Sequence, residues 1–490
     1  MPSSEPPPMS KYPALALYID GQWLPSASGG ELPVVDPANE SVLGMLPLAG
    51  PPELDRALAA AERGFALWKN TCAIDRQKII ARATRLLRER AGAIATVLTL
   101  EQGKPHAQAL REVVLGAEII DFLAEEAKRL YGRTVPPRTP GVLAQVVARQ
   151  PVGPVAAFTA WNFPANLPAR KLGGALAAGC SVVIKPAEET PGTCLEFVRA
   201  FHDAGLPPGV LNMVCGRPAQ VSAHLIASPV IRKVSFTGSV AVGRLLGELA
   251  ARGVKRYTAE LGGHAPVIVC EDADFVRAAR ASVTAKFRNA GQVCTSPTRF
   301  YVHRAGFEAF REAFVAGARA IRVGHGLTEG VDMGPLANER RLADMQRLVD
   351  DARERGGDLL CGGHRLGERG WFYAPTVLAR LTPEARLLHE EPFGPIAVLQ
   401  PFDTLDEAIA LANALPYGLA AYGFTSDLTS AHRLGEEIEA GMIGINHFGI
   451  SQPETPFGGW KESGFGQESG LEGLLGYTDV KLCSIARSPE

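Results

Sequence analysis

Neither long apolar runs nor an excess of one charge occurs in this 490-residue chain, and its eight cysteines never form C-x-x-C. The scattered cysteines argue against a zinc site or a disulfide framework, so we predict no metal and a reducing, cytoplasmic location. No apolar stretch reaches the roughly 18 residues of a transmembrane helix, so no membrane partner is expected. The formal net charge is −2, without the clustered basic face that nucleic-acid binding needs, so no nucleic-acid partner is expected either.

Two common motifs are also missing. The sequence contains no G-x-S-x-G, which argues against a serine hydrolase with a nucleophile elbow. No G-x-G-x-x-G follows any predicted strand, so an ordinary Rossmann fingerprint is not present. The start, MPSSEPPPMSKYPA, is polar and proline-rich without an apolar segment, and we expect a tail rather than a signal peptide.

Length and a regular alternation of segments are what the chain does have. A chain of 490 residues is too long for one hydrophobic core, so at least two domains are expected. Residues 53–130 repeat apolar side chains at helical spacing, which predicts helices. From residue 154 short β-rich runs such as PVAAFTAWN, CSVVIKP and KVSFTGS alternate with helical stretches, which predicts a parallel, doubly wound sheet. A second such series begins near HAPVIVCEDAD and predicts a second α/β domain.

Polar residues follow several of the predicted strands. Ligands of doubly wound sheets bind beyond the carboxyl ends of the strands, where Asn162, Lys185, Gly238 and Glu260 are expected to emerge. In RNAGQVCTSPTR, Cys294 lies in a loop of small and polar residues. A thiol of ordinary pKa is only a few per cent thiolate at neutral pH and is still a strong nucleophile.

Taken singly, each of these residues has a plain structural interpretation. A lone loop cysteine is more often inert than reactive. Asn162, just before Phe163 and Pro164, is also typical of a turn, and Glu260 of a solvated strand end.

Six fragments in register carry a much stronger signal. Together they resemble the aldehyde dehydrogenase superfamily of NAD(P)-dependent enzymes over almost the whole chain after the tail. They are TAWNFPANLPARK (159–171), IKPAEETP (184–191), FTGSVAVG (236–243), ELGGHAP (260–266), GQVC (291–294) and EEPFGP (390–395).

The resemblance implies a domain organisation. An α/β fold is expected with a doubly wound NAD-binding domain (1–133 and 153–262) and a second α/β catalytic domain (263–470). Residues 134–152 and 471–490 are expected to form a small β flap for oligomerisation, because exposed strands need a partner edge. A homodimer or homotetramer is therefore predicted.

The resemblance also implies a reaction. Cys294 is expected to attack the aldehyde, and the Asn162 amide with the Cys294 backbone N–H is expected to hold the resulting oxyanion. Collapse expels hydride to a nicotinamide carrier, and Glu260 acts as the base that lets water hydrolyse the thioester. Lys185 is counted with the catalytic residues.

Further fragments match the cofactor contacts of the family. Glu188 is expected at the adenosine ribose, where a carboxylate repels a 2′-phosphate, so we predict NAD and consider NADP the lesser alternative. Glu391, which follows Glu390, has the alternative of a solvated acidic pair. The predicted cofactor-binding residues are Trp161, Lys185, Glu188, Gly238, Ser239, Leu261, Glu391 and Phe393.

The substrate prediction depends on arginines. Arg170, Arg288 and Ser451 resemble the carboxylate contacts of succinate-semialdehyde dehydrogenases, and an arginine fork suits a carboxylate. Phe163 and Phe448 are expected to line the tunnel. The alternatives are a solvated Arg170, an Arg288 paired with a structural acid, and phenylalanines that simply pack.

The predicted activity is NAD-dependent oxidation of succinate semialdehyde to succinate through a thiohemiacetal and a thioester. The alternatives are α-ketoglutaric semialdehyde, a broader range of small-molecule aldehydes, or a catalytically silent protein on the same fold. Ser296 replaces a second cysteine found in many succinate-semialdehyde dehydrogenases, which argues against a redox switch. Gln467 replaces a usual arginine, and no role is assigned to His264.

Overall fold

The computed structural model describes residues 12–488, and its strands alternate with helices along most of the chain. The strands are β1 (Leu17–Ile19), β2 (Gln22–Leu24), β3 (Glu31–Val35), β4 (Val42–Pro47), β5 (Arg133–Val135), β6 (Val142–Pro151), β7 (Val155–Phe158), β8 (Val182–Lys185), β9 (Leu211–Met213), β10 (Lys233–Thr237), β11 (Arg256–Glu260), β12 (Ala265–Val269), β13 (Pro297–His303), β14 (Asp358–Cys361), β15 (Thr376–Ala379), β16 (Ile396–Phe402), β17 (Tyr417–Gly418), β18 (Ala420–Phe424), β19 (Met442–Ile445), β20 (Trp460–Lys461), β21 (Gly464–Phe465) and β22 (Thr478–Ala486).

The helices flank these strands. The α-helices are α1 (Pro51–Trp68), α2 (Ala73–Glu89), α3 (Ala91–Gln102), α4 (His106–Glu126), α5 (Asn166–Ala178), α6 (Pro191–Asp203), α7 (Pro218–Ala227), α8 (Val240–Arg252), α9 (Phe275–Phe287), α10 (Phe307–Ala320), α11 (Glu339–Glu354), α12 (Leu405–Asn413), α13 (Leu428–Glu437) and α14 (Gly470–Leu475). Short 3-10 turns cover Ala127–Arg129, Arg288–Gly291, Arg304–Gly306 and Arg386–Leu388. Among residues 12–488 no helix combines the length and the apolar character needed to cross a bilayer.

The first sheet has eight strands in the order β2-β1-β9-β8-β7-β10-β11-β21. Its central strands from β9 to β11 are parallel, and β1 and β21 join the two edges in antiparallel pairing. Strands β7 and β8 read VAAF and VVIK and are buried throughout, as expected for parallel strands covered by helices on both faces. This confirms the prediction of a doubly wound sheet.

The second sheet has the order β14-β15-β16-β13-β12-β18-β19, and every pairing except that of β14 is parallel. Its core includes a phenylalanine cluster in which the rings of Phe300 and Phe314 lie 5.0 Å apart. The first and second sheets therefore have separate cores, and the α/β class is as predicted.

A third, antiparallel sheet of β5, β6 and β22 forms the small β flap. Its long strand β22 exposes apolar side chains at Val480, Leu482 and Ile485. The glycine-rich segment 456–470 is typical of a loop that crosses between the domains, and the structure has a short strand within it. Strand β21 lies inside the range 263–470 that the sequence assigns to the second domain, yet it pairs with β11 of the first sheet. The exact domain boundaries stay a prediction.

Candidate active site

The carboxyl ends of four neighbouring strands meet at one edge of the first sheet. Lys185 and Glu260 are the last residues of β8 and β11, while Asn162 and Gly238 follow β7 and β10. Because these strands are adjacent and parallel, their ends lie side by side. The Cys294 loop, which leads into β13 of the second sheet, faces this edge, since Asn162 Nδ2 lies 3.2 Å from the carbonyl oxygen of Gln292.

The loop before Cys294 has an unusual backbone. Gly291 has φ of +70°, and the two residues before it are also left-handed, with φ of 51° and 53°. Non-glycine residues in this conformation cost of order 1–3 kcal/mol each and cluster at functional sites. A Cβ atom on Gly291 would lie 2.1 Å from the Gly394 carbonyl oxygen. Only glycine therefore allows the loop to approach this neighbouring segment so closely.

The Cys294 thiol lies among charged groups and is partly buried. Burial raises its pKa to about 12; the nearby carboxylates of Glu391 and Glu260 also raise it, and the Arg170 guanidinium lowers it. A thiol with this pKa is protonated at neutral pH. Attack on a carbonyl therefore requires that the proton be removed as the bond forms.

Glu260 is 2% exposed, and neither carboxylate oxygen has a hydrogen-bond partner within the described residues. Burial raises its pKa well above the usual range, and Glu468 raises it further, while Lys171 and Arg170 lower it. A general base works best when its pKa is close to the operating pH. The two free oxygens leave Glu260 able to accept a proton from a water molecule.

Glu468 and Lys171 form a buried pair that sequence reasoning missed. Lys171 Nζ lies 2.6 Å from the Glu468 carboxylate, and both residues are almost completely buried. Ser235 bonds to the same carboxylate oxygen at 3.2 Å. The pair joins residues 297 positions apart, and the only signal in the sequence is an acid within the glycine-rich GFGQESG. Gln467 precedes it and is half-buried.

Asn162 bridges the two halves of the site. Its side-chain Nδ2 donates to the Gln292 carbonyl at 3.2 Å. An amide nitrogen carries two hydrogens, so one remains available for an oxyanion near Cys294. Its backbone carbonyl accepts hydrogen bonds from Lys104 Nζ at 2.9 Å and Asn289 Nδ2 at 3.0 Å. The segment that holds the amide is therefore tied down on both sides.

Several of the predicted cofactor residues lie around the start of α8. Ser239 is the N-cap, and its hydroxyl accepts the Val242 N–H at 3.4 Å. Gly238 donates its N–H to the Glu260 carbonyl at 3.0 Å. Leu261 follows Glu260 in the chain and is buried, at 9% exposure. Unpaired amides and the positive end of the dipole make such a helix start suitable for a phosphate group.

The remaining predicted cofactor residues form two further groups. Lys185 and Glu188 are an ion pair at the end of β8. The Trp161 ring meets Phe393 edge-on at 5.5 Å, and Phe393 has a positive φ of 44°. Lys185 ends β8, and the other three residues lie in loops.

Glu391 is placed by the glycines that follow Glu260. The Gly263 N–H donates to its carboxylate at 3.2 Å. A Cβ atom on Gly262 would lie 2.5 Å from the other carboxylate oxygen, so a side chain there would displace it. Burial raises the pKa of Glu391 to about 8. The start of α8, the carboxylates of Glu188 and Glu391 and the two glycines beside Glu391 together fit the binding of a nicotinamide dinucleotide.

Arg170 and Ser451 lie together, as the substrate prediction requires. Arg170 Nη2 donates to the Ser451 hydroxyl at 2.7 Å, and Nη1 donates to Ser469 at 2.9 Å. The guanidinium lies 3.9 Å above the Phe457 ring and is 4% exposed. The alternative of a solvated Arg170 on a helix face is thus wrong, since this helix is buried throughout.

The other predicted substrate residues are more dispersed. Arg288 is exposed and lies 5.8 Å from the centre of the Phe163 ring. No carboxylate lies within 4.0 Å of Arg288 in the described part of the chain, so it has no structural acid as partner. Phe448 packs on Tyr422, with ring centres 4.6 Å apart. Phe163 and Phe448 are both half-buried, at different places around the site.

His264 is buried, and both of its ring nitrogens have polar partners. Its ring nitrogens lie 2.6 Å from the Thr298 hydroxyl and 3.0 Å from the Leu387 carbonyl. Burial lowers its pKa well below the usual value, and the nearby Arg299 charge adds to this. Across residues 12–488 no cluster of three or more His, Cys, Asp or Glu side chains is arranged to hold a metal ion.

Comparison with known proteins agrees with this geometry. The sequence profile of the aldehyde dehydrogenase family matches residues 23–483. A 4-(hydroxymethyl)benzenesulfonate dehydrogenase from Comamonas testosteroni is 48% identical over 466 residues, covering 95% of this chain and 97% of that protein. An NADP(+) succinate-semialdehyde dehydrogenase from Escherichia coli strain K12 is 40% identical over 467 residues, covering 95% of this chain and 97% of that relative.

Among solved structures, a succinate-semialdehyde dehydrogenase from Burkholderia pseudomallei superposes with a TM-score of 0.94 at 40% identity. The match covers 96% of this chain and 98% of that one. Fold and sequence thus lead to the same conclusion, and the predicted resemblance is confirmed. Enzymes of this kind oxidise aldehydes with NAD(P). The chain belongs to the aldehyde dehydrogenase family.

Proposed function

We propose that this enzyme oxidises a semialdehyde with an anionic far end, with succinate semialdehyde as the leading candidate. The observation that carries the proposal is the environment of Arg170. Its buried guanidinium bonds to two neutral hydroxyls and has no carboxylate within 4.0 Å in residues 12–488. Burial lowers the pKa of Arg170, and the carboxylates of Glu468 and Glu260 raise it without forming an ion pair with it. A buried cation without a direct ion pair is costly, so a substrate carboxylate would supply the partner. Arg288 provides a second, solvent-facing cation.

The proposed reaction uses three side chains of the site. Cys294 Sγ bonds to the aldehyde carbon as its proton passes to solvent, and the Asn162 amide donates to the resulting oxyanion. Loss of hydride from the carbon then leaves a thioester on Cys294. A bound nicotinamide supplies the hydride acceptor for the oxidation. Glu260 then takes a proton from water, whose oxygen displaces the thiol from the thioester and releases the acid.

We also propose NAD rather than NADP as the preferred cofactor. Glu188 is the group that supports this preference, because a carboxylate at the adenosine ribose repels a 2′-phosphate. The Escherichia coli relative, which is 40% identical, is named for NADP(+), so the activity should be measured with both cofactors. We expect kcat/KM to be higher with NAD, and Glu188→Ser to raise the value for NADP. Equal values for both cofactors in the unmodified enzyme would contradict the proposal.

A sulfonate is the second candidate for the anionic group, because the 48% identical relative is named for a benzenesulfonate. A sulfonate has three oxygens, and Arg170, Arg288 and Ser451 together offer enough donors for them. The Ser451 hydroxyl accepts from Arg170, so its own hydrogen remains free to donate. α-Ketoglutaric semialdehyde remains a third possible substrate, with a longer acid chain.

The test compares aldehydes that differ in charge but not in length. Succinate semialdehyde is paired with butyraldehyde, and 4-formylbenzenesulfonate with the neutral 4-(methylsulfonyl)benzaldehyde. We expect an anionic member to have the higher kcat/KM, and Arg288→Ala to lower only that value, by about 10- to 100-fold for one lost charged hydrogen bond. Arg280→Ala removes an exposed arginine from α9, the helix that ends just before Arg288, and serves as the control. A preference for the neutral aldehydes would refute the anionic assignment.

The catalytic assignment has its own test. Cys294→Ala is expected to produce no NADH, whereas Glu260→Ala is expected to give one burst of NADH followed by slow turnover, since the thioester is not hydrolysed. NADH production by Cys294→Ala would remove the proposed nucleophile. NAD binding without oxidation of any aldehyde would favour a silent protein.

We further propose that the enzyme is a homodimer or homotetramer assembled through the β flap. Strand β22 exposes three apolar side chains along an edge that is suited to pairing with a second copy. Light scattering of the chain is expected to give a mass above that of the 52.1 kDa monomer. Replacing Leu482 by Lys is expected to shift that mass downward.

A further inference from the structure

Lys104 lies in the loop between α3 and α4. It is 2% exposed and forms an ion pair with Glu112. Its Nζ also donates to the Asn162 carbonyl at 2.9 Å and lies 4.1 Å from the centre of the Phe163 ring. One buried ammonium group thus contacts both residues of the peptide unit that carries the amide.

Glu112 extends this contact to the start of α5. Its other carboxylate oxygen accepts the N–H groups of Ala165 at 2.9 Å and Asn166 at 3.3 Å. These amides belong to the first turn of a helix and have no partner inside it. The Lys104–Glu112 pair therefore holds residues 162–166 at both ends of the segment.

A second donor links this segment to the nucleophile loop. Asn289 Nδ2 bonds to the Asn162 carbonyl at 3.0 Å and to the Gln292 carbonyl at 3.2 Å. Gln292 is also the acceptor for the Asn162 side chain, at 3.2 Å. The distance between the Asn162 amide and Cys294 therefore depends on a network that ends at Lys104.

We propose that Lys104 is a positioning residue that sets where the Asn162 amide meets the oxyanion formed when Cys294 adds to the aldehyde. The inference rests on the proposed role of Asn162 as the oxyanion donor. The Lys104 ammonium is already bonded to Glu112 and to the Asn162 carbonyl, so it acts through Asn162. A buried ion pair seldom stabilises a fold more than well-packed apolar side chains of the same volume, so stability alone does not account for it.

A double-mutant cycle between Lys104 and Asn162 tests this. The measured quantity is the first-order rate constant of the NADH burst in a single turnover, which does not depend on the fraction of folded enzyme. Lys104→Met is expected to lower it by about 10- to 100-fold, as a small misplacement of a catalytic group does. In the Asn162→Ala background the same change is expected to cost less than about 2-fold, because its target is gone.

Three further variants separate positioning from a general effect. Lys104→Met/Glu112→Gln removes both charges, leaves no unpaired buried ion, and is expected to be as slow as Lys104→Met. Lys104→Arg keeps the charge and is expected to recover most of the rate. Leu225→Ala, in the buried face of α7, should lower Tm without changing the burst rate constant.

The outcomes are distinguishable. Equal, additive losses in both backgrounds, or a normal burst in Lys104→Met, would overturn the positioning role and leave the proposed function intact. A normal burst in Asn162→Ala would instead overturn the oxyanion assignment on which the inference rests. A loss confined to the unmodified Asn162 background supports the proposal.

Discussion

Replacing Glu468 by Gln should move the pH dependence of thioester hydrolysis to lower pH. Glu468 and Glu260 are both buried, and the charge of Glu468 raises the pKa of the Glu260 carboxyl. The substitution removes that charge while keeping an oxygen that accepts from Lys171, whose Nζ lies 2.6 Å away. The Lys171 ammonium, which lowers the pKa of Glu260, is then no longer neutralised by its partner. Both changes act in the same direction.

The size of the shift follows from the burial of all three groups. Charges within about 6 Å change a carboxyl pKa by roughly 1 to 3 units, and each unit is about 1.4 kcal/mol. We expect the acid limb of kcat to move down by at least about 1 unit. The sign is definite: a lower pKa means that Glu260 loses its proton, and becomes an active base, at a lower pH. Loss of the buried ion pair should also lower Tm.

The assay is steady-state kcat from pH 5 to pH 9 under saturating aldehyde and NAD, with hydrolysis confirmed as rate-limiting by an NADH burst. Glu472→Gln removes an exposed carboxylate from the same segment and should leave the profile unchanged. An unchanged acid limb in Glu468→Gln, or a limb moved to higher pH, would refute the electrostatic coupling between Glu468 and Glu260.

Three other predictions follow from the same environment. Glu391→Gln removes a carboxylate that raises the pKa of Cys294, so alkylation of that thiol by iodoacetamide at pH 8 should become faster; a slower reaction would contradict this. His264 is buried with a lowered pKa, so the free energy of unfolding should fall by about 1.4 kcal/mol per pH unit below about 6.5, a slope that chemical denaturation of His264→Gln should show to be reduced. Gly291→Ala places a Cβ atom 2.1 Å from a carbonyl oxygen and should lower kcat by about 100-fold, whereas Gly435→Ala, with no atom within 4 Å, should not.

Much of the architecture follows from local patterns in the sequence. Buried runs such as VVIK (β8) and the alternation of strands with helices predict two parallel sheets, because burial on both faces demands continuous apolar strands. Residues after those strands are then expected at one edge, and the structure brings Asn162 and Glu260 there. The glycine-rich segment 456–470 predicts a loop that crosses between the domains, but the two residues of β21 are too few to predict a strand or its pairing with β11.

The charged environment of the site was much less predictable. Lys104 and Lys171 read as ordinary polar residues, yet both are buried in ion pairs. The partner of Lys171 is 297 residues away, and Arg170 bonds to Ser469 at a separation of 299. Periodicity reports which face of an element is covered, but not which distant side chain covers it.

The sequence by itself determined which segments form strands and helices, at which sheet edge the site lies and which side chains can perform the reaction. Which of those groups lie in low dielectric, and which charges stand beside them, was decided only when segments far apart in the chain packed together. The physical reason is that the residue type fixes the reactive atoms of a side chain, whereas its pKa depends on solvent exclusion and on neighbouring charges. The sequence identifies Cys294 and Glu260 as candidate catalytic residues, but the folded structure sets their pKa values.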